Sequence, residues 1–288
     1  MGQAIDILSA VFYIGGHMVI EASKLKTSAY KRLALYGRPK GGGKTTFAMY
    51  APQPILDLAF DEFDPQGGVP SVPPGVDPDQ VFIQSYPEII EKVDFEKLSA
   101  TNVMGARIQK DLDAIQEAAA NKSPVKLTEG SPVPFPATLI FDGMVRFNSV
   151  LVDAMCFQNK IGDVTELGKE TVKFYGVRLR LLTKLMKQLL SLPCNVVLIT
   201  WENPLVGIDG KATNIVLPDF GGKMDIWGPG LVSACLYCYS ENSRWYVMTQ
   251  EDGLHRGVGV RGGYSLKPKI DVTIGGGDNP WQRVFGKE

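Results

Sequence analysis

Histidine and cysteine are scarce in this chain of 288 residues, and neither sign of charge prevails. The two histidines, His17 and His255, leave little room for histidine-based metal sites or catalytic triads. The 30 Lys and Arg residues offset the 31 Asp and Glu residues to a formal charge of -1, which argues against a generally basic nucleic-acid coat protein. Any contact with a nucleic acid must therefore be local.

The four cysteines do not form a recognisable metal site. Cys235 and Cys238 have C-x-x-C spacing, but they lie in the apolar, strand-like run LVSACLYCYS, and no second pair stands at zinc-ribbon distance. We therefore predict buried free thiols. Because low cysteine usage suits a reducing compartment, we expect the protein in the cytoplasm.

Long hydrophobic runs are missing as well. The most apolar stretch, residues 10–20, is about half the ~20 residues that a membrane helix needs, and Gly15 and Gly16 interrupt it. It lacks the basic segment of a signal peptide. We expect no membrane partner, whereas the hydrophobic content of 44% is enough for a buried core and excludes a disordered chain.

Apolar runs of strand length alternate with helical patterns over the first two-thirds of the chain. This alternation is typical of βαβ units and predicts an α/β fold with a mostly parallel central sheet flanked by helices. The continuous apolar runs ATLIFD and NVVLIT are typical of central parallel strands. Strands are predicted at residues 31–37, 54–60, 81–86, 137–142 and 195–200, and helices at 44–50, at 87–121, from the end of ATLIFD to about 159, and at 170–192.

The C-terminal third carries a different pattern. Residues 205–230 are rich in glycine and are predicted to be irregular, while residues 231–269 are predicted to extend the same sheet as C-terminal β-hairpins. Residues from 275 onward are predicted to be loose. The expected domains are an N-terminal extension at 1–30, one α/β domain at 31–270 and a C-terminal tail at 271–288.

The most informative segment is YGRPKGGGKTT at residues 36–46, a glycine-rich turn between a predicted strand and a predicted helix. Backbone N–H groups of such a turn close around an anion, Lys44 would reach the β and γ phosphates, and the Thr45 hydroxyl would hold Mg²⁺. The pattern G-x-x-x-x-G-K-[ST] requires glycine at position 38, which is Arg38, so the loop is one residue longer. The predicted nucleotide-binding residues are Gly37, Gly41, Gly42, Gly43, Lys44, Thr45 and Thr46.

Carboxylates follow two of the predicted strands. Asp142 ends ATLIFD and is predicted to organise Mg²⁺ beside the phosphate-binding turn. Asp61 and Glu62 follow the second strand and are either a solvated acidic loop or the group that orients the attacking water, with Glu62 preferred for its longer reach. At the same edge, three residues that end NVVLIT either sense the γ phosphate or form an ordinary strand exit. They are Thr200, Trp201 and Glu202, of which Glu202 is counted among the catalytic candidates.

This order of elements resembles the RecA-type P-loop ATPases. The resemblance rests on YGRPKGGGKTTFAMY, the acidic strand end ILDLAFDEFD, TLIFD, VVLITWE and the later segment PDFGGK. More narrowly, the chain is similar to phage-encoded nucleotide-binding proteins linked to single-strand annealing and recombination. The family implies a RecA-like fold, Mg²⁺-dependent ATP hydrolysis, Lys44 and Thr45 as the Walker A pair, Asp142 as the Walker B acid, and Glu62 or Asp61 as the catalytic carboxylate.

The resemblance also implies partners. They are single-stranded DNA, further copies of the chain in a ring or filament, and a single-strand DNA-binding protein, all in the host cytoplasm if the chain is phage-encoded. The loop at 205–230 falls where RecA-like proteins contact DNA, and its candidate contacts are Lys211, Asn214, Lys223 and Trp227. The alternative is a surface loop without a ligand. Candidates to reach a neighbouring subunit's ATP site are Arg256, Arg261, Lys267 and Lys269.

Three other functions remain open at this point. A DNA-packaging or helicase motor is one, although the chain after Lys269 is too short for the nuclease domain of a large packaging protein. A nucleotide-binding switch or virion-associated protein would bind ATP without releasing phosphate. A small-molecule kinase would transfer phosphate without any response to DNA.

Overall fold

The computed structural model describes residues 11–14, 17–20, 30–60, 72–86, 94–207, 210–261, 266–275 and 278–286. The chain divides into two units, Met1–Tyr30 and Lys31–Glu288. In the first unit, two strands pair as an antiparallel hairpin, with Ile14 opposite His17. All further elements belong to the second unit.

Strands occur in both units, and all α-helices of the described residues lie in the second unit. The strands of the described residues are β1 (Val11–Ile14), β2 (His17–Ile20), β3 (Arg32–Tyr36), β4 (Ile55–Ala59), β5 (Val81–Ser85), β6 (Thr138–Asp142), β7 (Asn195–Ile199), β8 (Glu202–Val206), β9 (Ala212–Pro218), β10 (Ala234–Glu241), β11 (Arg244–Met248), β12 (Gly259–Val260) and β13 (Lys269–Asp271). The α-helices are α1 (Lys44–Ala48), α2 (Asp94–Asn121), α3 (Met144–Asn159), α4 (Thr171–Leu190), α5 (Met224–Trp227) and α6 (Pro280–Phe285), with 3-10 turns at Pro78–Gln80, Val164–Glu170 and Gly228–Leu231.

The central sheet is mostly parallel and has the order β13-β11-β10-β3-β7-β6-β4-β5, with β12 paired to β10. Strands β3, β4, β5, β6, β7 and β10 run parallel, and β11, β12 and β13 add antiparallel pairs at one side. The central strands are buried on both faces, which is why their sequences read as unbroken apolar runs. The predicted α/β class with C-terminal hairpins is confirmed.

Alternate residues of each central strand point to two separate cores. On one face, Tyr36, Phe141 and Leu198 pack with Ile115 of α2 and Leu185 of α4. On the other face, Leu35, Ile140 and Ile199 pack with Phe47 of α1 and Trp281 of α6. Both faces of the sheet are therefore covered by helices.

Arg32 fixes the end of α4 against the sheet. Its guanidinium donates hydrogen bonds to the carbonyl oxygens of Leu190 at 2.7 Å and Leu192 at 2.5 Å, and also to that of Cys194. The last carbonyls of a helix lack partners within the helix, and a cation that binds them is favourably placed against the helix dipole. The chain is thus anchored where it leaves α4 and enters β7.

Two predictions about the C-terminal third are wrong. Residues 205–230 are not irregular throughout, because β8 and β9 form an antiparallel pair and α5 follows them. The chain from 275 onward is not a loose tail, since α6 packs on the second core and Trp281 is 1% exposed. Strands β8 and β9 and helix α6 were not predicted from the sequence because each is short and depends on tertiary contacts rather than on its own hydrophobic pattern.

Within the described ranges, no helix is both long enough and apolar enough to cross a bilayer.

Trp281 connects the C-terminal helix to the helix that follows the glycine-rich loop. Its ring centroid lies 5.9 Å from that of Phe47 in α1 and 4.7 Å from that of Phe285. The side chain of Asn279, which caps α6, also donates a hydrogen bond of 2.9 Å to the carbonyl of Tyr50. The C-terminal segment therefore supports the region around the loop.

Replacing Trp281 by alanine is expected to lower the free energy of unfolding by about 3–5 kcal/mol, because it leaves a large cavity between α1 and α6. Chemical denaturation measures this loss. The control is Trp227→Ala, at a tryptophan that is 36% exposed, for which we expect a change within about 0.5 kcal/mol. Equal effects of the two substitutions would show that α6 is not part of the folded core.

Candidate phosphate-binding site

The glycine-rich loop, residues 37–43, joins β3 to α1 at the carboxyl edge of the sheet. Its first residue must be glycine, because a Cβ at Gly37 would stand 2.2 Å from the carbonyl oxygen of Cys238 in β10. Its last residue, Gly43, has φ 70° immediately before α1, a left-handed conformation that glycine adopts without strain. The sequence and the neighbouring strand together dictate the path of the loop.

Lys44 and Thr45 begin α1 and face the interior of the site. Lys44 is buried to 7% exposure, and its ammonium group donates a hydrogen bond to the carbonyl of Arg38 within the loop. The hydroxyl of Thr45 donates a hydrogen bond of 2.6 Å to Oδ2 of Asp142. Three of the predicted site residues are therefore brought to one place although 97 positions separate Thr45 from Asp142.

The donor set of this place fits a magnesium ion. Mg²⁺ takes oxygen ligands and keeps several waters, so one hydroxyl and one carboxylate from the protein suffice. Within the described part of the chain, no group of three or more His, Cys, Asp or Glu side chains could hold a metal ion. The Thr45 hydroxyl and the Asp142 carboxylate are the two oxygen ligands that this place would offer a hydrated ion.

Helix α1 is short, since it ends at Ala48 and a turn follows. Five residues align few peptide dipoles, so the groups that this site would offer an anion are the N–H groups of the loop and Lys44 rather than the helix dipole. Thr46 is half-buried in the first turn, and Gly41 is exposed on the loop. The predicted helix over 44–50 is two residues longer than the observed one.

The register of the parallel strands places the carboxyl ends of β4, β6 and β7 side by side at this edge of the sheet. Ala59, Asp142 and Ile199 are paired across β4, β6 and β7, and the N–H group of Phe60 donates a hydrogen bond of 2.8 Å to the Asp142 carbonyl. Asp61 and Glu62 follow Phe60 directly, but they lie outside the described residues. Their catalytic role remains a prediction.

Glu202 lies at the entry of the glycine-rich loop. Its N–H group donates a hydrogen bond of 2.9 Å to the carbonyl of Gly37, and its Oε1 is 3.9 Å from Nε of Arg38. Its Oε2 accepts a hydrogen bond of 2.8 Å from the hydroxyl of Tyr237. Burial and the Glu202 carboxylate raise the pKa of Tyr237, so the phenol remains a proton donor.

The segment PDFGGK, residues 218–223, contacts both the buried carboxylate of Asp225 and the hydroxyl of Thr200. Asp225 accepts hydrogen bonds of 2.8 Å from the N–H groups of Phe220 and Gly221 and one of 3.0 Å from the Asn203 amide. Thr200 donates its hydroxyl proton to the carbonyl of Asp219. The end of β7 is thereby tied to the segment that follows β9.

Burial raises the pKa of Asp225 to about 6, and the nearby Asp219 carboxylate adds to this rise. The hydrogen bonds from Asn203, Gly221 and Phe220 act in the opposite direction. Burial also raises the pKa of Asp219, and the positive charge of Arg178 reduces this rise. The two carboxylates therefore share a poorly solvated position.

The candidate DNA contacts surround the β8–β9 hairpin. Lys211 lies between the two strands, Asn214 lies on β9 and Lys223 precedes α5, and all three are exposed. Trp227 ends α5 and is 36% exposed. The loop predicted to contact DNA therefore presents two cations and one aromatic ring.

The candidates for action on a neighbouring subunit are exposed at other places. Lys269 lies 2.6 Å from Glu241 and 3.8 Å from the ring centroid of Tyr246, so its charge is already engaged within the chain. Arg256, Arg261 and Lys267 are exposed on the segments that flank β12 and precede β13. Their action in trans remains a prediction.

The four cysteines are buried and free, as predicted. Burial raises the pKa of Cys194 to about 11 and that of Cys238 to about 12. Such thiols remain protonated near neutral pH and are poor metal ligands. Cys238 instead contributes its backbone to the wall behind the loop.

The sequence reading missed a cavity of about 390 Å³ beside the loop. Its aromatic wall comes from Tyr237 and Tyr239 of β10 together with His255. The available signal was the length of β10, which continues to Glu241 although its pairing with β3 ends at Tyr237. Because β10 extends beyond the end of β3, its last side chains lie past the carboxyl end of β3.

The chain was compared with known proteins at the level of sequence and of structure. No protein-family model matches it, and no curated protein matches it significantly. Among solved structures, a KaiC-like protein from the hyperthermophilic archaeon Pyrococcus horikoshii OT3 aligns with 87% of this chain and 87% of its own length, at 14% identity and a TM-score of 0.38. A likeness at that level establishes neither a family nor a function for this chain.

The raised pKa of Asp225 predicts a pH dependence of stability. A carboxyl group whose pKa is higher in the folded protein than in the unfolded chain stabilises the fold below its ordinary pKa near 3.8, and this stabilisation is lost as the pH rises through about 6. The unfolding free energy of the wild type relative to Asp225→Asn should therefore fall by up to about 3 kcal/mol between pH 4 and pH 7.

Chemical denaturation at several pH values measures this difference. Asp113→Asn, at an exposed position of α2, is the matched control and should track the wild type at each pH. A pH-independent difference between the wild type and Asp225→Asn would show that Asp225 titrates normally.

Proposed function

We propose that this chain is a Mg²⁺-dependent P-loop ATPase of RecA-like architecture. The observation that carries the proposal is the 2.6 Å hydrogen bond between Thr45 and Asp142, beside the buried ammonium group of Lys44. A glycine-rich loop, a cation, a hydroxyl and a carboxylate at one sheet edge form the set that a nucleoside triphosphate with its metal ion requires.

The roles of the residues follow from their positions. The loop N–H groups and Lys44 bind the polyphosphate, whose oxygens take the place of the Arg38 carbonyl as acceptors for the ammonium group. Thr45 and Asp142 would hold Mg²⁺, which when bound would neutralise charge that develops on the transferred phosphoryl group. The hydrogen bond of 2.6 Å between the two side chains keeps both of them at one place beside the loop.

Hydrolysis needs a group that orients the attacking water. Glu62 or Asp61 takes this role, supported by the position of Phe60 against Asp142. Glu202, at the start of β8, is a further candidate for this role, since its carboxylate is held between Arg38 and Tyr237 at the entry of the loop. Occupation of the loop would change this contact and so reach the β8–β9 hairpin that Glu202 begins.

Single-stranded DNA is the partner that we propose for the β8–β9 hairpin and α5. Lys211 and Lys223 supply cations for the backbone, and Trp227 supplies a surface on which a base stacks. The resemblance of the sequence to phage RecA-type proteins favours a role in phage recombination or replication, with several copies assembled on the strand.

Lys44→Ala is expected to weaken ATP binding by roughly 100-fold, because it removes a charge-assisted contact to the phosphates. Isothermal titration calorimetry with Mg²⁺ and ATP measures the affinity, and a thermal melt shows whether the variant is folded. Lys184→Ala, at an exposed position of α4, is the control and should bind as the wild type does. Asp142→Asn should reduce phosphate release more than ATP binding.

Two results would contradict this proposal, one concerning the position of the site and the other concerning the activity. One is unchanged ATP affinity in folded Lys44→Ala, which would place the nucleotide elsewhere. The other is ATP binding by the wild type without any release of phosphate, which would favour a nucleotide-binding switch over an ATPase.

Phosphate release is expected to rise on addition of short single-stranded DNA at low salt and to respond less as salt increases, because cations contact the backbone. The double variant Lys211→Glu with Lys223→Glu should lose this stimulation. Lys184→Glu with Lys187→Glu reverses the same number of charges at exposed positions of α4 and should retain the stimulation. Equal stimulation of the wild type and the double variant would exclude the β8–β9 hairpin and α5 as the DNA contact.

A further inference from the structure

A cavity of about 390 Å³ lies on the side of the glycine-rich loop that faces away from Asp142. One wall is the outer part of the loop, with Arg38, Lys40, Gly41 and Gly42. The opposite wall is formed by the β10–β11 hairpin and by the residues before β12 and at the start of β13. The volume falls within the range of small-molecule sites, which is about 300–1,000 Å³.

The sheet explains why the cavity forms at this position. Strand β10 runs parallel to β3 up to the pair Tyr36–Tyr237 and then continues beyond the end of β3, paired with β11, to Glu241. The loop leaves β3 against this extension, so closely that a Cβ at Gly42 would stand 3.0 Å from the Cys238 carbonyl oxygen. Gly41 and Gly42 therefore belong to both the phosphate-binding turn and the cavity.

The cavity has an aromatic wall. The ring centroids of Tyr237 and His255 are 4.0 Å apart, and those of Tyr237 and Tyr239 are 5.8 Å apart. Tyr237 is held by its hydrogen bond to Glu202, and His255 by Oδ2 of Asp252 at 2.9 Å from Nδ1. Two of the three rings are thus fixed by polar contacts behind them, as a preformed binding surface requires.

Polar groups complete the lining. Arg38 and Lys40 supply positive charge and Ser240 supplies a hydroxyl, while Lys269 and Asp252 line the cavity with their charges paired to Glu241 and His255. Aromatic faces suit a planar heterocycle, the hydroxyl suits its polar edge or a sugar, and the two cations suit a phosphate chain that leaves it. A ligand with all three features is a nucleoside phosphate.

We propose that this cavity holds the base and sugar of the nucleotide whose phosphates bind the glycine-rich loop, and that Tyr239 and His255 determine which base is accepted. The inference rests on the proposed function. It also fixes the direction of the nucleotide, because β10 and β6 lie on opposite sides of β3 in the sheet. The nucleoside lies over β10 while the terminal phosphate points toward Thr45 and Asp142.

The test compares ATP with inorganic tripolyphosphate, which carries the phosphates without a nucleoside. Both are titrated calorimetrically with Mg²⁺ into the full chain. Tyr239→Leu removes a half-buried ring at the margin of the first core, and Ser240→Trp adds bulk at an exposed position of the cavity lining. A thermal melt of each variant shows that it is folded. The matched control is Tyr246→Leu, because this ring lies 5.5 Å from that of Tyr239 but does not line the cavity.

The wild type should bind ATP more tightly than tripolyphosphate. Both cavity variants should weaken ATP binding about tenfold while they leave the affinity for tripolyphosphate within about twofold. Tyr246→Leu should match the wild type with both ligands. Replacing ATP with GTP and CTP should give affinities that differ in the wild type and converge in Tyr239→Leu and in His255→Ala.

Failure of this inference is distinguishable from failure of the proposed function. A wild type that binds ATP through Lys44, with cavity variants that retain its full affinity, would overturn the nucleoside site and leave the phosphate site intact. The same conclusion would follow if ATP and tripolyphosphate bound equally to the wild type, or weakened by the same factor in the variants. A wild type that binds neither ligand would overturn both.

Discussion

The hydrogen bond from the Thr45 hydroxyl to the Asp142 carboxylate connects two segments that are 97 residues apart. It exists because β3, β7 and β6 are parallel and adjacent, and because Asp142, Ile199 and Leu35 are paired in register at the same edge. A shift of one residue in β6 would turn Asp142 to the other face of the sheet, away from Thr45. The catalytic proposal therefore depends on register, which the apolar strands maintain through burial on both faces.

The C-terminal third of the chain supports the glycine-rich loop from two sides. Strand β10 extends the parallel sheet next to β3 and forms both the wall behind Gly37 and the aromatic side of the cavity. Helix α6 packs against α1 on the opposite face, through Trp281 and Phe47. A loop whose phosphate contacts depend on backbone N–H groups needs such support, because small shifts of these groups weaken anion binding.

Polar side chains near the site form hydrogen bonds that connect neighbouring segments of the chain to one another. Asp225 orders the segment after β9, Glu202 joins the start of β8 to the loop, and Tyr237 joins Glu202 to the cavity. Each of these groups is satisfied by hydrogen bonds, as burial demands. They form a continuous path from the phosphate-binding loop to the hairpin that we propose as the DNA contact, which gives nucleotide binding a physical means to influence that hairpin.

The sequence by itself determined the parallel sheet, its helices and the core of the phosphate site. Long apolar runs and the G-K-T turn carry strong local signals, which place β3, β6, β7, Lys44, Thr45 and Asp142 without tertiary information. Only the tertiary structure decided the β8–β9 pair, the docking of α6 and the cavity beside the loop. These features arise from contacts between short elements distant in sequence, and a short element has too little hydrophobic pattern of its own to predict where it will pack.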